Sequence, residues 1–252
     1  MLFDGLSEKY LKKYASDLFD IEIRNCVTST NSIMKEKALS GLKEFSVLIA
    51  QCQTAGRGRM GRSFHSPKGT GIYMSLLLKP SDGMNPLLIT TDAAVSASLA
   101  FEKLLGQEVG IKWVNDIYLN GKKVCGILAE KVEDSIILGI GINVLKPKKG
   151  FPEDIKNRAG ALFDKKKRYL REKVAVEFLN TFLEIYKNPD RQVLLDEYRK
   201  RSIMTDKKIL ILKDGEEEKA HAIGINDDYS LLVKKENGET VNISSGDVSI
   251  KI

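Results

Sequence analysis

One stretch, residues 53–62, constrains this chain more than any other, because it places three glycines and three arginines directly after an apolar run at residues 45–52. Glycine lets the backbone adopt positive φ and come close to a ligand. Arginine stays charged and forms paired hydrogen bonds with carboxylates and phosphates. A long loop in a compact domain is usually functional. We therefore expect a buried strand followed by a loop, residues 53–71, that wraps a small anionic ligand.

Length, composition and net charge limit the class of protein to which this chain can belong. A chain of 252 residues with 42% hydrophobic residues can bury a sizeable core and is expected to hold one large domain and a small one. The net charge is +6 and the pI is about 9.0, and we expect this charge to be spread along the chain. Anionic substrates or an acidic protein partner fit this balance as well as nucleic acid does, and no segment demands nucleic acid.

Cysteine usage and the N-terminus point to a compartment. The three cysteines, Cys26, Cys52 and Cys125, are odd in number and lack metal-ligand spacing, so we expect neither a disulfide scaffold nor a zinc site. Cys52 and Cys125 are predicted core residues. The first twenty residues carry charges throughout, unlike a signal peptide, and no run reaches the ~20 apolar residues of a membrane helix. We expect a cytoplasmic protein without a membrane partner.

Hydrophobic periodicity predicts alternating strands and helices over the first 205 residues. The predicted strands are 20–27, 45–52, 72–79, 111–114, 116–119, 124–131 and 135–144. The predicted helices run from residue 29 to about 39, then over 86–105, 169–187 and 190–201. Asn120-Gly121 is typical of a tight hairpin turn. This pattern favours an α+β domain with a mixed sheet and helices packed on one side.

The pattern of the sequence changes after residue 206. Five short strands are predicted at 208–213, 219–225, 231–235, 240–243 and 248–252. Turn residues separate them at 214–215, 226–228, 237–238 and 244–246. Short, regularly spaced strands of this kind predict a small β-barrel over residues 206–252.

Five segments together carry a more specific signal: residues 29–31, 53–62, 111–116, 123–130 and 139–143. In this order and spacing they resemble the biotin–protein ligase family over residues 20–205. The resemblance implies that the barrel is SH3-like. It also implies an enzyme that activates biotin with ATP and Mg²⁺ to biotinyl-5'-AMP. Such an enzyme then transfers biotin to a lysine of a biotin carboxyl carrier protein domain.

The resemblance implies a set of biotin-binding residues. These are Ser29, Thr30, Asn31, Gln53, Arg57, Gly58, Arg59, Lys123, Gly126 and Leu128. Hydroxyl and amide groups suit the neutral ureido ring of biotin, and small or apolar side chains suit its bicycle and valeryl chain. Residues 29–31 are equally typical of a plain helix N-cap, so both interpretations stay open.

The resemblance also implies contacts with ATP and the adenylate, from Arg57, Arg59, Arg62, Lys112, Asn115, Asp116 and Asn143. Lys123 and Arg59 are the predicted catalytic residues. The biotin carboxylate and the α-phosphate are both anions, so fixed positive charge is needed to bring them together. Asn115 and Asp116 otherwise fit a turn or cap. The metal ligands are left open, with Mg²⁺ held through ATP phosphates, and no Walker phosphate loop occurs.

Some positions depart from the family pattern. Phe64 stands where tryptophan is usual, and Val114 stands where proline is common. The adenine contact stays unassigned. His65 and His221 are interpreted as ordinary residues. Because about twenty residues precede the first predicted strand, we expect no N-terminal DNA-binding domain and no nucleic-acid partner.

Other interpretations stay open. A lipoate–protein ligase shares the fold and the adenylate chemistry, and a non-catalytic basic binding protein is a further alternative. A homodimer and a monomer are both compatible with the sequence. Two lysine runs, residues 146–149 and 165–168, fit a solvated surface, or a surface that steers an acidic carrier domain.

Overall fold

The protein is described here from a computed structural model that covers residues 5–80, 85–213, 216–244 and 247–250. Its first sheet contains β1 (Asp20–Val27), β2 (Ser46–Gln53), β3 (Gly71–Leu78), β4 (Gly110–Lys112), β5 (Asp116–Leu119), β6 (Lys122–Val132) and β7 (Ser135–Asn143). The strands lie in the order β1-β2-β3-β7-β6-β5-β4. β1 and β2 are parallel, and the other neighbours are antiparallel. The predicted α+β class with a mixed sheet is therefore confirmed.

Helices pack on both faces of this sheet. The helices are α1 (Glu8–Tyr14), α2 (Thr30–Leu39), α3 (Pro86–Leu105), α4 (Leu170–Lys187) and α5 (Arg191–Arg201). On one face, Met34 of α2 packs with Leu48, Leu77 and Ile137. The other face packs against α3 and α4 in the main core. The prediction that helices pack on one side of the sheet only was wrong. The side chains of β2 and β3 are buried on both faces of the sheet, so each face needs a cover.

Local chemistry explains the helix ends. Asn85 caps α3 by accepting from the Leu87 amide, Pro86 occupies the first turn, and Gly106 ends the helix with φ of 70°. Ser29 caps α2, with its side chain accepting from the Ser32 amide. The bounds predicted for α3 are thereby confirmed, and α2 ends at its predicted residue. The short helix α1 was not predicted.

Cys26 and Cys52 form a disulfide, contrary to the prediction. They face one another across the parallel pair β1 and β2, with Cα atoms 4.7 Å apart. Neither is a core residue, since Cys26 is exposed and Cys52 is half-buried. The pairing depends on strand register, which composition and spacing do not reveal. Cys125 is buried as predicted, and burial raises the pKa of its thiol.

A second sheet follows α5. It is antiparallel and contains β8 (Lys207–Lys213), β9 (Glu216–Ile225), β10 (Leu231–Lys235), β11 (Thr240–Ile243) and β12 (Asp247–Ile250), in the order β11-β10-β9-β8-β12. This arrangement agrees with the predicted small SH3-like domain. The turns predicted at 214–215 and 245–246, and the end of the last predicted strand at 251–252, lie outside the described residues.

The second sheet is fastened to the first domain by aromatic residues. The Trp113 indole Nε1 donates to the Tyr229 carbonyl at 2.9 Å, and the Tyr198 hydroxyl donates to the Val114 carbonyl at 3.1 Å. The rings of Tyr198 and Tyr229 meet edge to face, 5.5 Å between centroids. The turn between β9 and β10 is thus held against the segment after β4. Among the described residues, no helix has the length and apolar character needed to cross a membrane.

Candidate active site

A cavity of about 440 Å³ lies where the N-terminus of α2, the loop after β2 and the strands β6 and β7 converge. All fifteen predicted site residues line it: Ser29, Thr30, Asn31, Gln53, Arg57, Gly58, Arg59, Arg62, Lys112, Asn115, Asp116, Lys123, Gly126, Leu128 and Asn143. Five sequence segments spread over more than a hundred residues therefore meet at one place.

The arginine–glycine loop is folded into a small hairpin. The Gly58 amide donates to the Arg62 carbonyl at 2.7 Å, and the Phe64 amide donates to the Gly56 carbonyl at 2.8 Å. Met60 at the tip has φ of 54° and is 72% exposed. The side chains of Arg57, Arg59 and Arg62 are thereby presented from a short, hydrogen-bonded frame and not from an open coil.

A buried polar chain forms the floor of the cavity. Gln53 Oε1 accepts from the Thr30 amide at 2.8 Å and from the Thr30 hydroxyl at 3.1 Å. The Ser75 hydroxyl lies 2.8 Å from Thr30 Oγ1 and 2.6 Å from Asn31 Oδ1. Gln53 Nε2 donates to Ser66 Oγ at 2.9 Å. These bonds fix the orientation of the neutral polar groups that face the cavity, as a binding site for a polar heterocycle requires.

Glu130 ties this floor to the arginine–glycine loop. Its carboxylate accepts from Asn31 Nδ2 at 2.9 Å, pairs with Lys35, and lies 3.2 Å from an Arg57 nitrogen. Burial alone would raise the pKa of this carboxyl. The hydrogen bonds from Asn31 and Lys35, with the charges of Lys35 and Arg57, outweigh that effect and lower the pKa. Glu130 ends one of the five segments, but its role was not predicted from the sequence.

Two glycines of β7 make room for side chains of the site. A Cβ on Gly139 would lie 2.1 Å from Asn31 Oδ1, and a Cβ on Gly141 would lie 2.5 Å from the Phe64 ring. Gly126 similarly faces the Phe64 ring and the Lys123 ammonium, each 3.2–3.3 Å from an added Cβ. These glycines therefore leave the space that the side chains of Asn31, Phe64 and Lys123 occupy.

Lys123 and Asp116 form an ion pair on the cavity wall. Lys123 Nζ lies 2.7 Å from Asp116 Oδ1, and both side chains are less than one-third exposed. Asn115 donates to the Ile127 carbonyl at 2.7 Å, and Arg59 approaches the Asn115 amide oxygen at 3.4 Å. With Arg62 and Lys112 also lining the cavity, the charge here is predominantly positive. Such a wall is suited to anionic groups.

One wall of the cavity is formed by residues that the sequence did not predict. Residues 151–159 contribute Phe151, Asp154, Ile155, Arg158 and Ala159. This segment pairs with the start of β6, because the Lys123 amide donates to the Arg158 carbonyl and the Gly160 amide donates to the Lys123 carbonyl. Its sequence has no periodicity that would signal a strand. Trp113 and Tyr118 also line the cavity without having been predicted to bind ligand.

Comparison with known proteins identifies the family. The profile of the Biotin/lipoate A/B protein ligase family matches residues 24–146. The biotin--[acetyl-CoA-carboxylase] ligase of Mycobacterium tuberculosis is 31% identical over 236 residues, which cover 87% of this chain and 85% of that protein. The chain therefore belongs to the biotin–protein ligase family, and the resemblance seen in the sequence is confirmed.

Two further relatives extend this result. The bifunctional ligase/repressor BirA of Bacillus spizizenii is 40% identical over 145 residues, covering 55% of this chain. That match covers only 45% of the Bacillus protein, so the chain spans less than half of this relative. The biotin protein ligase from Aquifex aeolicus, solved in complex with biotin and ATP, superposes with a TM-score of 0.76 at 28% identity. The superposition covers 92% of this chain and 98% of that one.

Proposed function

We propose that this protein is a biotin–protein ligase, which converts biotin and ATP to biotinyl-5'-AMP and transfers biotin to a lysine of a biotin carboxyl carrier protein domain. The observation that carries the proposal is the convergence of all five family segments on one cavity with a neutral polar floor and a cationic wall. The Aquifex aeolicus protein, solved with biotin and ATP, supports the substrates. The name of the Mycobacterium tuberculosis relative supports a carboxylase as acceptor.

In the proposed complex, the biotin ring binds over the polar floor of the cavity. Thr30, Asn31 and Gln53 offer fixed donors and acceptors for the ureido group, and Leu128 offers an apolar wall. The Ser29 hydroxyl caps α2, and because Ser29 also lines the cavity, capping is compatible with a role for residues 29–31 in binding biotin. In this orientation the valeryl chain directs the carboxylate toward Lys123.

The first half-reaction joins two anions. A biotin carboxylate oxygen attacks the α-phosphorus of ATP, the bond from this phosphorus to the bridging oxygen breaks, and pyrophosphate leaves with the bonding electrons. Lys123 and Arg59 lower the repulsion and stabilise charge on the phosphate oxygens as it develops. The cavity holds the reactants side by side, so the attack is effectively unimolecular.

The remaining polar residues complete the reaction. In the second half-reaction, the neutral amine of a carrier lysine attacks the acyl carbon, AMP leaves with the electrons of the broken carbon–oxygen bond, and the new amide nitrogen loses one proton to solvent. The nucleotide is assigned to Arg57, Arg62, Lys112, Asn115 and Asn143. Mg²⁺ neutralises phosphate charge when bound, and the Asp116 carboxylate suits it, because Mg²⁺ in proteins often takes one or two carboxylates plus substrate phosphates. The described residues hold no group of three or more side chains that would bind a metal by themselves.

A substrate comparison tests the proposal. The purified protein is incubated with ATP, Mg²⁺ and either radiolabelled biotin or radiolabelled lipoate, and acyl-adenylate and pyrophosphate are quantified. We expect biotinyl-5'-AMP, followed by labelling of an apo biotin carboxyl carrier domain. A lipoyl-adenylate in its place would assign the protein to the lipoate–protein ligases, and the absence of both products would overturn the ligase function.

Glu130→Gln should raise the KM for biotin by about five- to tenfold. The substitution removes the charge that holds Arg57 and Lys35 but keeps an oxygen for Asn31, and charged hydrogen bonds contribute about 1.5–3 kcal/mol, less where partly exposed. Because the folded pKa of Glu130 is lowered, the cluster is intact above the ordinary carboxylate range. It is lost only as the pH falls through that lowered pKa. Initial rates of adenylate formation over a biotin series measure the effect.

Glu22→Gln is the matched control. Glu22 also pairs with one lysine and one arginine, Lys37 and Arg24, and Lys37 is likewise on α2. Glu22 does not line the cavity. Equal changes in KM for the two variants would show that a general loss of charge, and not the positioning of Arg57, is responsible.

A further inference from the structure

One segment of this protein, residues 144–168, has a large excess of positive charge. Residues 144–168 contain nine lysines or arginines and three aspartates or glutamates, so their net charge of +6 equals that of the entire chain. The remainder of the chain is therefore neutral overall. A local excess of positive charge of this size is a property that a partner can recognise.

The fold brings the two lysine runs of this segment together. The Leu162 amide donates to the Asn143 carbonyl at 2.9 Å, and the Phe163 amide donates to the Val144 carbonyl at 3.0 Å. Leu145 and Phe163 consequently form a parallel β-bridge, and the two segments that follow these residues run in the same direction. Residues 146–149 and 164–168 begin side by side although eighteen positions separate them. We call Lys146, Lys148, Lys149, Lys165 and Lys167 the basic patch.

The basic patch borders the candidate active site. Asn143, which lines the cavity, is three residues from Lys146, and residues 151–159 form a cavity wall between the two lysine runs. All five patch lysines are exposed. Of the three acids in the segment, Glu153 is paired locally with Lys156. The excess positive charge therefore faces solvent next to the point where a macromolecular acceptor must present its lysine.

We propose that the basic patch docks an acidic surface of the carrier domain and so directs the acceptor lysine to the cavity. This inference rests on the proposed ligase function. Complementary charge chiefly accelerates association, and its effect decreases as salt screens it. A partner with negative charge beside its acceptor lysine fits such a surface. The proposed function assigns ATP to other residues, which line the cavity, so the patch is expected to matter for the transfer step only.

The test is a double charge reversal, K165E with K167E, assayed with a purified apo biotin carboxyl carrier domain of an acetyl-CoA carboxylase. At low salt, kcat/KM for the carrier should fall by about 10- to 100-fold, within the range of electrostatic steering. The loss should shrink strongly in 0.5 M salt. Biotinyl-5'-AMP formation and the KM for ATP should stay at the wild-type values, which also shows that the variant folds.

The matched control is K207E with K208E, which makes the same charge change at two adjacent exposed lysines of β8. Equal transfer rates for the wild type and both variants would overturn the proposal, as would equal losses in the two variants. A raised KM for ATP in the patch variant would assign the patch to the nucleotide. Loss of duplex-DNA binding with normal transfer would assign it to nucleic acid. If the wild type forms no adenylate, the ligase function itself fails, and this outcome is separate from the others.

Discussion

Replacing Lys123 with alanine is expected to slow biotinyl-5'-AMP formation by about 10²- to 10³-fold, the loss typical when one preorganised electrostatic group is removed. The ammonium lines the cavity and is 2.7 Å from Asp116 Oδ1. Its removal deletes a positive charge and also leaves the Asp116 carboxylate to repel the biotin carboxylate and the phosphates. Single-turnover pyrophosphate release measures the rate.

Lys122→Ala provides the control for this prediction. Lys122 is the preceding residue of β6, is exposed, and donates to the Asn157 carbonyl, so the alternation of the strand points it away from the cavity. We expect its adenylation rate to stay within about twofold of the wild type, since surface substitutions away from special features usually have small effects. A Lys123→Ala enzyme that adenylates biotin at the rate of the Lys122→Ala enzyme would refute the catalytic assignment.

Gly139→Ala is expected to weaken biotin binding at least tenfold and to lower the free energy of unfolding by about 1–3 kcal/mol, the usual cost of an overpacked core position. The new Cβ would lie 2.1 Å from Asn31 Oδ1. Asn31 is buried and bonded to Ser75 and Glu130, so it cannot yield without breaking the floor of the cavity. Denaturant unfolding and biotin titration measure the two effects.

Gly224→Ala is the matched control on another strand. An added Cβ at Gly224 of β9 meets no atom within 4 Å. The same change there should leave biotin binding intact and leave stability equal or slightly higher, because alanine restricts the unfolded chain. Wild-type biotin affinity in the Gly139→Ala protein would show that Asn31 does not need its present position.

The sequence predicted those parts of the fold that depend on local patterns. The α3 helix was predicted from Pro86 at one end and Gly106 at the other, each of which acts within a few residues. The fifteen predicted site residues were found through their motifs, and all fifteen line one cavity. Their chemical roles remain predictions.

Features that depend on register or on distant packing were not predicted. The Cys26–Cys52 disulfide requires knowing which residues are opposite one another in β1 and β2. The wall at residues 151–159 forms through single backbone bonds to Lys123, which leave no periodic signature. The roles of Gly139 and Glu130 appear only when Asn31 is placed between them.

The hydrogen bond from Trp113 to Tyr229 has a thermodynamic consequence. Trp113 lines the cavity with one part of its surface and holds the second sheet with its indole N–H. A ligand that favours this orientation of Trp113 strengthens the attachment of the second sheet. By reciprocity, detachment of that sheet weakens the ligand by the same free energy. For such a ligand, occupancy of the cavity and attachment of a sheet more than a hundred residues away in the chain form one coupled equilibrium.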